Sequence, residues 1–286
     1  MAFPRPFRPG RVVAWLSLVL LAGYVGVGGY LFFFQNRMVF HPGAGIGETP
    51  ETWGMPYENV FFASGRERLN GWWMPGRAGE PLLLFFHGNT RVLSGLRPHI
   101  ELFSRLGLEL FLFDYRGYGL STGHPTEAGV YADALAAREY LTTTRKIDPA
   151  RLIYYGHSLG GGAATWLAAR HPPGGLILEG SFTSIPDVGA GRYPFLPIHL
   201  MSRIHFDNLS LLPSIHAPLL IIHSRDDVVI PFQHALNLFA AANEPKSLLE
   251  TRGHHDTSFH KGGKTAEEGL TRFLAAQKKQ WKTEPQ

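Results

Sequence analysis

The run Gly156-His157-Ser158-Leu159-Gly160 spells G-x-S-x-G and makes Ser158 the candidate nucleophile of this chain. A free serine hydroxyl attacks poorly. It needs a general base, and the base needs a carboxylate to hold its tautomer. When the serine sits at a strand end, acid and base follow at later strand ends, in the order Ser, Asp/Glu, His. Two downstream segments meet that order: Ser224-Arg225-Asp226-Asp227 after one apolar run, and Thr251-Arg252-Gly253-His254-His255-Asp256 after the next. By position alone the acid is Asp226 or Asp227, and the base is His254 or His255. A tight structural turn is the bland alternative for G-x-S-x-G, since five such residues arise by chance. The flanks weigh against it: Leu152-Ile153-Tyr154-Tyr155 reads as a buried strand and Ala163-Ala164-Thr165-Trp166-Leu167 as a helix. The glycines on either side leave room for the strained turn that would lift a hydroxyl above a sheet.

For these residues to meet, a sheet must bring its strand ends together. Short apolar runs predict strands over Asn59–Ala63, Leu69–Met74, Pro81–Phe86, Leu108–Asp114, Leu152–Gly156, Leu176–Glu179, Pro218–His223 and Ser247–Glu250. Several are apolar at nearly every position, as strands covered on both faces must be. Helical patterns lie at about Ser94–Leu106, Thr126–Thr142, Leu159–Arg170, Phe232–Ala242 and Thr265–Lys278. This rhythm predicts an α/β fold with a mainly parallel, eight-stranded sheet and helices on both faces. No helix separates the first two strands, so they should form an antiparallel hairpin. Ligands of such sheets bind at the C-terminal strand ends.

With these motifs in order, from about Gln35 to the last helix, the chain resembles α/β-hydrolases of the Bem46-like branch, related to membrane-anchored ABHD12/13/17-type serine hydrolases. The resemblance is carried by Phe86-His87-Gly88-Asn89-Thr90, Asp114-Tyr115-Arg116-Gly117-Tyr118-Gly119-Leu120-Ser121, the Ser158 turn, His223–Pro231 and Gly253-His254-His255-Asp256. The family's H-G-x-x-D-x-x-V-P implies Asp227 as the acid, and its G-H-N-D implies His254 as the base. Departures are Ser224 for Gly, Ile230 for Val and His255 for Asn. The resemblance also implies an oxyanion hole from the backbone N–H groups of Leu159 and Asn89. His87 is expected to pack in its loop, and Asp114 and Arg116 to brace a turn. No cofactor or metal is required.

Residues Val12–Phe34 form 23 consecutive uncharged positions, a helix of roughly 34 Å that suffices for a hydrocarbon core of about 30 Å. Arg5, Arg8 and Arg11 precede it and Arg37 follows, which places the N-terminus in the cytoplasm and the remainder on the far side, periplasmic in a bacterium. A cleaved signal or a buried core helix are the rivals. The expected layout is a basic tail at 1–11, an anchor at 12–34, a linker at 35–57 that is Gly/Pro-rich from Gly43 to Gly54, and a hydrolase domain at 58–286, with a small cap at about 181–213. Charged residues make up only 17% and the net charge is +4, with no Lys/Arg run, which argues against nucleic acid. Cys is absent, which excludes disulfides and thiolate metal sites. Gly263-Lys264-Thr265 lacks the earlier glycine of a phosphate loop, and His254, His255 and His260 match no zinc motif.

The expected activity is hydrolysis of acyl esters or thioesters, by attack of Ser158 and an acyl-enzyme. Tyr193-Pro194-Phe195-Leu196-Pro197-Ile198-His199-Leu200-Met201 lies in the cap interval and is apolar, which on a membrane-tethered enzyme favours fatty-acyl or lysolipid substrates. A peptidase, with Asp187 or Asp207 meeting a substrate amine, a short-chain esterase and a silent binding module are the alternatives. Oligomeric state is open.

Overall fold

The structure, a computed structural model, describes residues 9–43, 45, 47–89, 92–257 and 263–283. Arg5, Arg8, Thr90 and His260 therefore lie outside the described residues. Eight strands form one sheet: β1 (Glu58–Ser64), β2 (Glu67–Met74), β3 (Leu82–Phe86), β4 (Glu109–Phe113), β5 (Leu152–His157), β6 (Gly175–Glu179), β7 (Leu219–Ser224) and β8 (Lys246–Thr251). All eight correspond to the expected runs. Their order is β1-β2-β4-β3-β5-β6-β7-β8. The β1–β2 hairpin and the β2–β4 pairing are antiparallel, and every other pairing is parallel.

Strand position explains strand composition. β3, β5, β6 and β7 lie inside the sheet and are buried at every residue, so both faces select Leu, Ile, Phe and Tyr. β1, at one edge, alternates exposed and buried positions from Asn59 onward, which exposes Phe61 and Ala63 and buries Phe62 and Ser64. β8 closes the other edge and carries the charged residues Lys246 and Glu250, which discourage pairing with another sheet.

Helices cover both faces. On one lie α3 (Arg97–Arg105) and α10 (Gly263–Thr283), which bury Ile100 and Phe103, and Ala266, Leu270, Phe273 and Leu274, against Leu83, Phe85 and Tyr155. The α10 residues recur at helical spacing and so form one apolar stripe. On the other face lie α4 (Glu127–Glu139), α5 (Leu159–Ala168) and α9 (Gln233–Ala241), packed on Leu84, Phe86, Tyr154 and Ile221. Fully burying each such side chain contributes about 1.5–3 kcal/mol, so the two layers hold the sheet firmly. Thr126 starts α4 by accepting the Gly129 N–H at 3.0 Å, a cap whose loss costs about 1 kcal/mol.

Ahead of the sheet stands α1 (Pro9–Phe33), with mean hydropathy 2.0 over Gly10–Phe33 and almost no burial. It is long and apolar enough to cross a membrane, and it is not a core helix of the domain. A short helix, α2 (Gln35–Val39), follows directly. Between β6 and β7 run three further short helices, α6 (Ile185–Arg192), α7 (Ile198–Met201) and α8 (Asn208–Leu211), within the interval expected to form a cap.

Candidate active site

Ser158 occupies the turn between β5 and α5 with φ +53° and ψ −119°, a backbone state that residues with a Cβ rarely adopt. The turn exists because its neighbours lack side chains. A Cβ on Gly160 would lie 2.0 Å from the Phe86 carbonyl oxygen, and one on Gly156 would lie 2.6 Å from the Gly161 Cα. The Ser158 N–H is fixed by donation to the Glu179 carbonyl at 2.8 Å. Its hydroxyl therefore stands at the C-terminal edge of the sheet, at the N-terminus of α5, where helix dipoles favour developing negative charge.

The partner imidazole is His255. Its Nε2 lies 2.8 Å from Ser158 Oγ, and its Nδ1 lies 2.6 Å from Asp227 Oδ2. This corrects the expectation for His254, which is exposed and points away. The reason lies in the turn after β8. Ser224 Oγ donates to the Gly253 carbonyl at 2.6 Å, and the Gly253 N–H donates to Asp226 Oδ2 at 3.1 Å. With Gly253 at φ +106° and the His254 carbonyl accepting the Thr257 N–H, the chain turns His254 outward and His255 inward. Gly180, at φ +54°, leaves the space that the ring fills, since a Cβ there would lie 3.2 Å from His255 Cε1.

Of the two candidate acids Asp227 faces His255, whereas Asp226 pairs with Arg252 at 2.9 Å on the surface. Asp227 Oδ1 accepts the N–H groups of Val229 and Ile230 at 2.8 and 2.9 Å, so both carboxylate oxygens are engaged. Burial by itself would raise this carboxyl's pKa; the hydrogen bond and charge of His255, the Ile230 N–H and His223 outweigh it and hold it below its ordinary value. For His255, burial alone would lower the pKa. The hydrogen bond and charge of Asp227, with Asp256 and Glu179 beyond, win and hold it above its ordinary value.

The loop after β3 passes against the hydroxyl: a Cβ on Gly88 would lie 3.4 Å from Ser158 Cβ. Next to it the Asn89 carbonyl accepts from Tyr118 Oη at 2.8 Å and from the His41 N–H at 3.1 Å, and the Asn89 side chain donates to the Val39 carbonyl at 3.1 Å. Among the described residues no acceptor takes the N–H of Asn89 or of Leu159. Both residues line one cleft of about 670 Å³ with Ser158 and His255, a size suited to a small-molecule site. His87 is fully buried and its Nδ1 lies 2.7 Å from the Gly88 carbonyl, the packed role expected of it. Asp114 accepts the Leu93 N–H at 3.2 Å, and burial pushes its carboxyl up to about 8 against that bond. Arg116 pairs with buried Asp133 at 2.7 Å, so both act as braces outside the cleft.

Sequence reasoning missed a buried polar cluster beneath the serine turn. Glu179, at the end of β6, accepts from His99 Nε2 at 2.9 Å and from Tyr155 Oη at 2.8 Å. His157 lies between this cluster and the site, its ring 5.6 Å from His99 in an edge-on contact and 5.5 Å from His255 in a tilted one. The available signal was a glutamate ending a strand that is otherwise apolar. His157, His255 and Asp256 bring possible metal-ligand atoms within 4.8 Å of one another, yet both nitrogens of His255 already face Asp227 and Ser158.

A serine on a strained strand–helix turn, served by residues from the ends of β7 and β8 in this strand order, defines an α/β-hydrolase. The chain belongs to that family: residues 81–195 match the family model described as alpha/beta hydrolase fold. It is 35% identical over 274 residues to the uncharacterized protein Rv2307c of Mycobacterium tuberculosis, covering 91% of this chain and 94% of that one. It is 32% identical over 241 residues to the lysophosphatidylserine lipase ABHD12 of Danio rerio, covering 70% of this chain and 62% of that protein. Among solved structures, the Pyrococcus furiosus esterase Pf2001 superposes with a TM-score of 0.69 at 20% identity, covering 83% of this chain and 98% of its own.

Proposed function

We propose that this chain is a membrane-anchored serine hydrolase that cleaves acyl esters or thioesters with lipid-like acyl groups. The observation that carries the reading is the unbroken line from Ser158 Oγ through His255 to Asp227, at 2.8 and 2.6 Å. His255 takes the hydroxyl proton as Ser158 attacks the acyl carbonyl. The C–O bond to Ser158 forms, and the carbonyl electrons move to the oxygen. The N–H groups of Leu159 and Asn89 receive that oxyanion, and each such donor is worth about 3–4 kcal/mol in the transition state. His255 then returns the proton to the leaving alcohol or thiol. Water, deprotonated by the same imidazole, releases the acid and restores Ser158.

The lipid-like assignment is supported by the apolar side chains of the cleft, among them Met38, Phe182, Ile185 and Tyr193, and by the relative named as a lysophosphatidylserine lipase. The acids weighed for a peptidase lie elsewhere: Asp187 accepts from Thr183 Oγ1 at 2.5 Å and Asp207 caps α8. Membrane anchoring rests on α1, and its orientation, with the catalytic side away from the cytoplasm, rests on the arginine bias.

A fluorophosphonate probe applied to membranes labels the wild type, and labelling is lost in Ser158→Ala; labelling of that variant at another residue would sink the assignment. The pH dependence has a stated sign. His255 must be neutral to accept the proton, so kcat/KM falls as pH drops through its pKa. Because that pKa is raised, the acid limb lies above about 6.5, the value of an unperturbed histidine. A pH profile with its acid limb near 5 would contradict this account of the base.

A further inference from the structure

Helix α1 does not end in a free tether. Tyr24 Oη donates to the Phe195 carbonyl at 3.1 Å, Gln35 Nε2 to the Met201 carbonyl at 2.8 Å, and the Arg203 N–H to Gln35 Oε1 at 2.7 Å. The Arg203 guanidinium lies 4.9 Å from the centre of the Phe32 ring. On the other side, the last residue of α2 and the chain just beyond it hold the loop that borders Ser158, through Asn89 Nδ2 to the Val39 carbonyl and the His41 N–H to the Asn89 carbonyl. The start of the expected linker is thus built into the folded unit, between the apolar helix and the serine.

Two cavities flank this segment. One, of about 100 Å³, reaches from Leu31 and Phe32 at the end of α1 to Met201. The other is the cleft at Ser158. They share five lining residues: Met38 and Val39 from α2, and Ile185, Gly189 and Tyr193 at α6. Of the five, Met38, Val39 and Ile185 have aliphatic or thioether side chains, Gly189 has none, and Tyr193 adds an aromatic ring. The shared wall therefore joins the end of the apolar helix to the nucleophile by a surface on which a polar chain would lose its hydration without compensation.

We propose that α2 is one wall of an acyl-chain groove, and that the chain of a bilayer lipid passes between α2 and α6 to place its ester carbonyl at Ser158. The occupant is a fatty-acyl chain because the groove begins where the membrane-length helix ends and is apolar along the shared wall. It rests on the serine-hydrolase reading above and adds the path of the substrate and the specificity-determining role of Met38. The anchor then contributes to substrate choice as well as to location.

The test uses the full chain in phosphatidylcholine vesicles and compares rates of Ser158 modification by hexadecyl and ethyl fluorophosphonates. In the wild type the long-chain probe reacts faster. Met38→Trp and Ile185→Trp, which add bulk from opposite walls, lower the hexadecyl-to-ethyl ratio by about tenfold or more, the range expected when a pocket loses room for methylenes. Met38→Ala, which adds no bulk and so guards against misfolding, lowers the ratio by a smaller factor as contact is lost. A ratio unchanged in all three overturns the groove, and a fall confined to Ile185→Trp overturns the role of α2. A wild type that reacts equally with both probes also overturns the groove while leaving the serine hydrolase intact. If neither probe reacts with the wild type, the hydrolase reading itself fails, and the groove with it.

Discussion

His255→Ala abolishes hydrolysis while His254→Ala leaves it within a few-fold of wild type. The expected loss for His255 is about 10⁶-fold in kcat, similar to that of Ser158→Ala, because nucleophile and base act as a unit and removal of either disables both. His254 has no such effect because its side chain is exposed, one residue outside the line that runs from Ser158 Oγ to Asp227 Oδ2. Steady-state rates on an acyl ester, with thermal unfolding as a check on folding, separate the two variants. The reverse pattern, with His254 essential and His255 dispensable, would overturn the site geometry.

Glu179→Ala destabilises the domain by about 1–3 kcal/mol, the cost of taking a buried acceptor away from its hydrogen-bond donors. Glu179 is 1% exposed, and its loss leaves His99 Nε2 and Tyr155 Oη without the acceptor they share. Thermal or urea unfolding in detergent at neutral pH measures the effect. Acid dependence gives a second readout. Burial acts to raise this carboxyl's pKa, but the charges of His99 and His157 and the bonds from His99 and Tyr155 hold it well below the ordinary range. Its stabilising contribution is therefore full above about 4.3, the unfolded value, and is lost as pH falls from there towards the folded pKa. Glu179→Gln, which keeps the shape, flattens that acid-side loss. An unchanged acid dependence would mean that Glu179 is not charged in the folded protein.

Local pattern was enough for much of this protein. The eight strands are apolar runs bounded by turn residues, and the helices repeat at their own period, so each element is recorded in its neighbours along the chain. Ser158 was legible for the same reason: Gly156 and Gly160 are needed within two residues of it, by contacts a Cβ would violate. Asp227 was reachable from Pro231 and the motif that ends there. The 23-residue uncharged stretch likewise declares a membrane-length helix with no help from the rest.

Tertiary structure decided what depends on distant chain segments. His254 and His255 are chemically identical neighbours, and the choice between them is made by Ser224 and Asp226 gripping Gly253 from the end of β7. The Glu179 cluster joins residues 80 positions apart and leaves only a lone acid in the sequence. The wall built by Met38 and Val39 depends on α2 folding back against the cap and the Asn89 loop, whereas position between the apolar helix and the first strand made that stretch the start of a linker. Side-chain type and period act over a few residues, so they specify elements and turns. Which face of a turn looks inward is set by hydrogen bonds and packing between strands that only the folded sheet brings together.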